Sequence, residues 1–292
     1  MILVTGATGR VGYRLMEKLG DRRADATAMV RVEGRALDLP GRFRHVVASL
    51  DEPPPPETLR QFDRIFLLSP EHQEQATLET VFTDAIVAAG HQPYVVKMAA
   101  DGFQDPDCDV RFMRSHRQVA AHLDATGLPV SYLAPAMYLE NLLAGAETLR
   151  RDGVLPAPAG QGRAAFVAAS DAAAVAAAIL AQPRPEPGTY VLTGSEALSC
   201  ADIAGRISEV FARQVDCAEE PPARARDRMV ARGLAPWEAD GYLEWFGWIR
   251  QGGAETVTTA VRDVTRADPR PVDDWLSEFR GSFLEPPPGL SP

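Results

Sequence analysis

The first twelve residues constrain the fold more than any other part of the chain. An apolar run that starts at Ile2 leads into a glycine loop, Gly6-Ala7-Thr8-Gly9-Arg10-Val11-Gly12, and a helical pattern follows. In a βαβ unit such glycines make a tight turn, let backbone N–H groups approach a pyrophosphate and let the helix pack closely on the strand. The unpaired N–H groups at the helix N-terminus also favour a dianion. The pattern predicts a dinucleotide-binding unit, and a glycine turn without a ligand is the alternative.

The end of the second strand distinguishes between the two nicotinamide cofactors. A site for NAD usually has an acidic residue there, about twenty residues beyond the loop, which binds the ribose 2′-OH. Here the strand ends in Met29-Val30-Arg31. The planar guanidinium of Arg31 can pair with a 2′-phosphate and Arg35 can assist, although Glu33 lies near the same ribose. The sequence therefore predicts NADP(H), and the alternative role of Arg31 is a solvated charge at the strand end.

Short apolar runs alternate with longer helix-periodic segments through the first half of the chain. The expected strands lie at 2–5, 26–30, 44–48, 64–68, 94–98 and 130–133. Such alternation is typical of a parallel sheet with helices on both faces. We therefore predict an α/β fold whose N-terminal part, residues 1–135, is a Rossmann-type doubly wound parallel sheet.

Beyond residue 135 the pattern becomes mostly helical. We expect helices at 138–151, 170–181, 200–213 and 236–251, a late strand at 190–193, and Ser170 as an N-cap. Residues 136–283 are predicted to form a smaller substrate domain from which some segments return to the sheet. The proline-rich residues 284–292 are predicted to be a disordered tail.

Composition and residue spacing exclude several classes of function. Forty acidic and thirty basic residues give a formal net charge of −10, and the arginines are dispersed, so the basic stripe of a direct nucleic-acid binder is missing. No run of about eighteen apolar residues and no secretory signal occurs, so we expect a cytoplasmic protein without a membrane segment. Cys108, Cys200 and Cys217 contain no CxxC pair, and His116 and His122 do not share a helical face, so no metal site is predicted.

Several segments together resemble the NmrA-like branch of the atypical short-chain dehydrogenases. They are TGATGRVG, MVR, DRIFLLSP at 63–70, YVVKMAA at 94–100, NLLAGAETLRRDGVL at 141–155 and LTGSEALSCADIA at 192–204. The similarity extends from residue 1 to about residue 283. The resemblance implies a Rossmann-type domain, a small C-terminal substrate domain and an active site in the cleft between them. The family includes NADPH-dependent quinone reductases and triphenylmethane reductases as well as redox-sensing regulators.

The resemblance also implies roles by position. The residues expected around the pyrophosphate are Gly6, Thr8, Gly9, Arg10 and Val11, with Gly12 behind them in the same loop. The residues expected along the cofactor toward its nicotinamide are Leu68, Ser69 and Pro70. Arg31 would bind the 2′-phosphate, and Lys97 with the residues after it would flank the nicotinamide.

The chain departs from the family where chemistry is expected. Ala99 stands where relatives usually have serine, and Ala136 stands where they usually have asparagine. Tyr94 and Lys97 do not form a Tyr-x-x-x-Lys pair, since they are three residues apart and on a strand would point to opposite faces. His116, which we expect to open a helix after a long loop, is a candidate proton donor, with a surface or helix-capping role as the alternative. Lys97 is the second catalytic candidate and either binds a substrate oxygen or supports the strand end.

The missing acid favours a substrate whose reduced form needs little help from a proton donor. Reduction of a quinone leaves a hydroquinone oxygen that resembles a phenol, with a pKa of about 10, whereas a simple ketone leaves a far more basic alkoxide. Phe103, Tyr138 and Trp245 are candidates for stacking on a planar ligand, although helix-periodic aromatic residues usually pack in the core. We therefore predict an NADPH-dependent reductase that transfers hydride to a quinone or a related conjugated aromatic compound, such as an aromatic polyketide.

Two other functions stay open on the sequence. One is an NADP(H)-binding, redox-sensing regulatory protein with little turnover, which would require a protein partner. The other is a non-reductive or coupling enzyme that acts on an aromatic natural product. The losses at Ala99 and Ala136 favour these alternatives, and a homodimer is compatible with all three functions.

Overall fold

A computed structural model describes residues 1–285 of the chain. Its strands are β1 (Ile2–Val4), β2 (Ala26–Val30), β3 (Arg44–Val47), β4 (Arg64–Leu67), β5 (Tyr94–Met98), β6 (Val130–Pro135), β7 (Val154–Ala157), β8 (Arg163–Ala164), β9 (Gly188–Leu192), β10 (Leu198–Ser199) and β11 (Asp216–Glu219). Its helices are α1 (Arg10–Asp21), α2 (Pro56–Leu59), α3 (Gln75–Ala88), α4 (Arg111–Thr126), α5 (Ala146–Asp152), α6 (Ala169–Ala181), α7 (Cys200–Phe211), α8 (Pro222–Ala231), α9 (Pro236–Arg250), α10 (Ala260–Thr265), α11 (Val272–Glu278) and α12 (Arg280–Leu284). Short 3-10 helices lie at Glu33–Asp38 and Leu139–Gly145.

The main sheet has seven strands in the order β3-β2-β1-β4-β5-β6-β9. All of its strand pairs are parallel. The chain order reverses between β1 and β4, which is the topological switch point at which doubly wound sheets bind ligands. The predicted Rossmann-type fold class is confirmed, and the glycine loop after β1 lies at this switch point.

Alternation along each strand divides the core between the two faces of the sheet. Leu3, Leu67 and Val95 belong to a cluster with α3 and α4, whereas Val4 and Phe66 belong to a cluster with α1 and α6. Successive residues of a strand point to opposite faces, so each of these strands is buried on both sides. This alternation places every odd-numbered residue of β5, including 97, on the face covered by α3 and α4.

The C-terminal half is mostly helical, but it does not form a separate contiguous body after residue 135. Strand β9 pairs with β6 at the edge of the main sheet, and the alanine-rich α6 packs on α1. Helices α5, α7, α11 and α12 surround a further cluster that contains Trp275 and Phe283, and α8 packs on α9. Two small sheets, β8 with β10 and β7 with β11, lie in this half.

Three local predictions differ from the structure. The expected helix at 138–151 is a 3-10 turn followed by α5, with the change near Gly145, where a Cβ would lie 2.9 Å from Leu155 Cδ1. Ser170 is not an N-cap, because α6 begins at Ala169 and the Glu140 carboxylate accepts the Ala169 N–H at 3.1 Å. The α4 helix begins at Arg111, five residues before His116, so that histidine does not open the helix.

The described part of the chain ends just after its last helix, α12. Leu284 is the last residue of α12, and residues 286–292 of the predicted tail lie outside the described residues. Within 1–285, every helix is too short or too polar to cross a membrane.

Candidate active site

The glycine loop has a conformation that side chains would disrupt. Gly6 has a φ of +60°, and a Cβ there would lie 3.0 Å from the carbonyl oxygen of Leu68. At Gly12 a Cβ would lie 2.1 Å from the carbonyl oxygen of Gly6. The N-cap of α1 is Gly9, so its first-turn N–H groups receive no side-chain cap. The loop therefore presents backbone donors at a helix N-terminus, an arrangement that fits a pyrophosphate.

Thr5 ties this loop to the end of β4. Its Oγ1 donates to the carbonyl oxygen of Leu68 at 2.8 Å and accepts the N–H of Leu68 at 2.8 Å. Leu68, Ser69 and Pro70 consequently continue from β4 directly beside the glycine loop. This role of Thr5 could not be predicted from the sequence, because a threonine at a strand end has many common roles.

The groups expected at a 2′-phosphate lie at the end of β2. Arg31 is exposed, and Arg35 contacts Asp38 at 2.9 Å and the Thr8 hydroxyl at 3.3 Å. Glu33, the acidic residue expected near the ribose, has its carboxylate 2.8 Å from His45 Nε2 on β3. Arg35 therefore contacts the glycine loop, and Arg31 is exposed at the adjacent end of β2, where a guanidinium could pair with a phosphate.

Lys97 is fully buried in an ion pair. Its ammonium lies 2.8 Å from Glu79 Oε2, the Ser69 hydroxyl donates to Glu79 Oε1 at 2.6 Å, and the Met98 carbonyl is a further acceptor for Lys97. Lys97 and Glu79 are 1% and 0% exposed. The pair links β5 to α3 beneath the predicted nicotinamide region, so Lys97 supports the strand end in this structure.

His116 joins the same buried network on the side of α4. Its Nδ1 lies 3.4 Å from Lys97 Nζ, and its Nε2 lies 3.2 Å from Glu71 Oε1. An ammonium group can only donate, so Nδ1 is the acceptor and Nε2–H donates to Glu71. This arrangement orients the Nε2–H of His116 toward Glu71. Since His116 is buried, neither the surface role nor the capping role applies.

The carboxyl ends of β5 and β6 are apolar where relatives carry polar side chains. Ala99 and Ala136 are both buried, and their N–H groups pair with Leu133 and Leu192 carbonyls. The hydroxyl of Tyr94 pairs with Ser131 at 2.7 Å, on the opposite face from Lys97. No short-chain dehydrogenase acid is therefore assembled from these positions.

A cavity of about 380 Å³ lies in the C-terminal half, and Arg10 of the glycine loop is among its lining residues. The Arg10 guanidinium donates to Asn141 Oδ1 at 2.9 Å. The cavity walls are mainly apolar and include Phe166, Tyr242 and Phe246. A mostly apolar cavity with a few polar groups is typical of a small-molecule site.

The three aromatic candidates occupy different environments. Phe103 is buried and packs on Tyr132 with ring centroids 5.6 Å apart, so it does not line the cavity. Trp245 is also buried and stacks on Tyr242 at 6.1 Å, which positions Tyr242 in the cavity wall. Tyr138 is half-buried, and its hydroxyl lies 3.7 Å from Met98 Sδ.

Tyr242 lies on α9, and hydrogen bonds between α9 and the start of α4 hold this helix at the cavity. The Arg111 guanidinium binds Glu244 at 2.6 and 3.0 Å, and the Arg111 N–H binds the same carboxylate at 2.8 Å. Gly241 permits the close approach, since a Cβ there would lie 2.4 Å from Phe112 Cζ. The sequence contains no local sign of this pairing between residues 133 positions apart.

Asp101, at the carboxyl end of β5, gives the protein a testable pH dependence. Burial raises the pKa of its carboxyl from 3.8 to about 6. A raised folded-state pKa favours folding only while the group is protonated, so this stability is present below about pH 4 and is lost as the pH rises through 6. We expect Asp101→Asn to be more stable than the wild type by about 2 kcal/mol at pH 8, with little difference at pH 4. Urea unfolding at both pH values measures this, and an equal gap at both would contradict it.

Comparison with known proteins identifies the family of the chain. The model of the NmrA-like family matches residues 1–231. The chain is 28% identical over 285 residues to the NAD(P)H azoreductase of Xenophilus azovorans, covering 97% of this chain and 99% of the relative. It is also 28% identical over 290 residues to the (4-alkanoyl-5-oxo-2,5-dihydrofuran-3-yl)methyl phosphate reductase of Streptomyces griseus, with coverage of 97% and 99%.

Solved structures share the fold. The NADPH-dependent quinone oxidoreductase of Escherichia coli, in its complex with NADPH, superposes with a TM-score of 0.85 at 22% identity and covers 96% of this chain and 100% of its own. The triphenylmethane reductase of Citrobacter sp., in complex with NADP(H), has a TM-score of 0.81 at 20% identity, with coverage of 95% and 99%. The resemblance inferred from sequence motifs is confirmed, and the chain belongs to the NmrA-like family.

Proposed function

We propose that this protein is an NADPH-dependent reductase of a conjugated, mainly apolar acceptor, with quinones and related aromatic compounds as the substrate class. The observation that carries the proposal is the cavity with apolar and aromatic walls, which Arg10 of the glycine loop also lines. A ligand in this cavity would lie beside a dinucleotide held by the loop. The azoreductase and quinone oxidoreductase among its relatives support a reductive reaction.

The chain's own residues fit the cofactor. The glycine loop supplies backbone donors for the pyrophosphate, and Arg31 and Arg35 supply charge for a 2′-phosphate. When bound there, NADPH would supply a hydride. The buried pair of Lys97 and Glu79 would hold the ends of β4 and β5 rigid beneath it, because Ser69 is bonded to the same carboxylate.

The proton requirement supports an acceptor of this type. Quinone reduction consumes one hydride and one proton, and a hydroquinone oxygen resembles a phenol, so water can protonate it without a strong positioned acid. Ala99 and Ala136 supply no acid, and the Nε2–H proton of His116 is already donated to Glu71. The site is therefore poorly suited to the reduction of a simple ketone.

The experiment is to mix the purified protein with NADPH and a panel of quinones and azo dyes and to follow the loss of nicotinamide absorbance. The proposal expects turnover with at least one conjugated acceptor and none with simple ketones. Tight NADPH binding without oxidation across the panel would instead favour the redox-sensing alternative.

The cofactor preference can be tested at β2. We expect Arg31→Ala to weaken NADPH binding by about tenfold or more, since a charge-assisted contact to phosphate contributes about 1.5–3 kcal/mol, while NADH binding changes little. Calorimetric titration with both cofactors measures the two affinities. Arg22→Ala, which removes an exposed arginine after α1, is the control. Equal losses for NADPH and NADH would contradict the 2′-phosphate role.

A further inference from the structure

Glu71 has one carboxylate oxygen that lacks a partner. It lies in the segment between β4 and α3, and its Oε1 accepts the Nε2–H of His116 at 3.2 Å. Its Oε2 is buried and makes no hydrogen bond within the part of the chain that the structure describes. The side chain as a whole is 34% exposed, so it is not sealed in the core. The network thus fixes one oxygen and leaves the other without a hydrogen-bond donor.

An unpaired buried carboxylate oxygen is costly, because folding removes it from water without a replacement donor. Both amide atoms of Gln75, four residues further along, are also buried without partners. The neighbouring Glu79 differs, because Ser69 donates to its Oε1 and its Oε2 lies 2.8 Å from the Lys97 ammonium, which compensates its charge. The free polar atoms are therefore concentrated on the segment that begins at Glu71.

The Glu71 carboxylate is close to the cavity. Burial raises the pKa of Tyr242, and the charge of Glu71 raises it further. Burial also raises the pKa of Tyr138, with smaller contributions from Glu140 and Glu71 in the same direction. Tyr242 and Arg10 line the cavity, whereas Glu71 is not one of its lining residues. Glu71 lies three residues after Leu68, which Thr5 bonds at the start of the glycine loop, so Glu71 is at the edge of the sheet where the cofactor is expected.

We propose that Glu71 is a specificity-determining residue whose Oε2 accepts a hydrogen bond from an N–H or O–H group of the ligand in the cleft. The inference rests on the proposed reductase function and deepens it. His116 keeps the carboxylate oriented by donating to Oε1, and Lys97 keeps His116 in the orientation that can do so. His116 and Lys97 are therefore positioning residues for Glu71.

In a complex of the protein with cofactor and substrate, two groups could supply this N–H or O–H donor. One is a hydroxyl or amino group on the aromatic substrate, and the other is the carboxamide of the nicotinamide. A carboxylate acceptor rejects an analogue that lacks the donor, because its buried oxygen then stays unpaired. The two sources therefore predict different discrimination, one between acceptors and the other between cofactors.

The experiment compares wild type, Glu71→Gln and Glu71→Ala, with Glu74→Gln as the matched control at an exposed position in the same segment. The acceptors are 6-hydroxy-1,4-naphthoquinone and its 6-methoxy ether, compared by kcat/KM. The cofactors are NADP⁺ and its 3-acetylpyridine analogue, which lacks the amide N–H groups, compared by Kd. Thermal unfolding of each variant shows that it is folded.

The proposal expects the wild type to prefer the donor-bearing member of one pair by about tenfold, as a hydrogen bond to a charged group allows. Glu71→Ala should reduce that preference to about one, Glu71→Gln should reduce it partly, and Glu74→Gln should keep it. If both preferences survive in Glu71→Ala, the proposal is overturned. If the wild type oxidises NADPH with no acceptor of the full quinone and azo-dye panel, the proposed function fails, while the cofactor pair still tests Glu71.

Discussion

Gly12→Ala is expected to weaken NADPH binding by about a hundredfold and to lower the stability by about 3 kcal/mol. The added Cβ would lie 2.1 Å from the Gly6 carbonyl oxygen, which is backbone and cannot rotate away. The loop must therefore open, and the donors at the N-terminus of α1 would separate from one another. Calorimetric titration with NADPH and urea unfolding measure the two effects.

The matched control is Gly205→Ala, which makes the same change in α7, where a Cβ meets nothing within 4 Å. There the change is expected to stabilise the protein by about 0.5–1 kcal/mol, because alanine loses less backbone entropy in a helix. Gly205→Ala should leave NADPH binding unchanged. Similar affinities for NADPH in the two variants would contradict the assigned role of the loop.

Breaking the buried ion pair is expected to have the second large effect. Lys97→Met or Glu79→Leu alone should lower the free energy of unfolding by about 3–5 kcal/mol, because each leaves an unpaired charge in the core. The double variant should be closer to the wild type than either single variant, since neither charge then remains. Urea unfolding of all four proteins gives the coupling between the two sites.

The exposed pair of Arg262 and Asp268, at 3.4 Å, provides the control for the buried pair. Arg262→Met should leave the unfolding midpoint nearly unchanged, because surface ion pairs contribute little. Additive effects of the two core substitutions would show that Lys97 and Glu79 are not coupled.

The N-terminal fold was predictable because its determinants are local. The glycine spacing, the apolar strands and the helical periods each appear within about twenty residues of chain, which is the length of one strand, turn and helix. All six strands expected in the first half are present, and β6 continues two residues further, to Pro135. The face on which Lys97 lies also follows from alternation along β5.

The partners of Lys97 and His116 were not predictable in the same way. Glu79 lies on α3 and Glu71 lies just before it, whereas Lys97 is on β5 and His116 is on α4. The chain has forty acidic residues, and the sequence does not indicate which of them pairs with Lys97. One signal was present, since Gln75, Glu79 and Thr83 recur at a spacing of four on the buried face of α3. Polar residues on the apolar face of a helix indicate a buried network.

The cavity depends on contacts between distant segments. Asn141 and Tyr242 reach it from a 3-10 turn and from α9, which are about a hundred residues apart in the sequence, so no local pattern indicates that they meet. Phe103 was predicted as a candidate for stacking on a planar substrate because it is aromatic. Its ring instead packs on Tyr132 in the core, where an aromatic side chain buries more apolar area.

The central claim is that hydride passes directly from NADPH held at the glycine loop to a conjugated acceptor in the adjacent cavity. The most direct test is a single-turnover reaction with excess protein, using NADPH deuterated at either position of C4 of the nicotinamide. The account predicts oxidation of NADPH that is slowed several-fold by deuterium at one of the two positions only. NADPH that binds tightly but stays unoxidised in the presence of every quinone and azo acceptor would contradict the account.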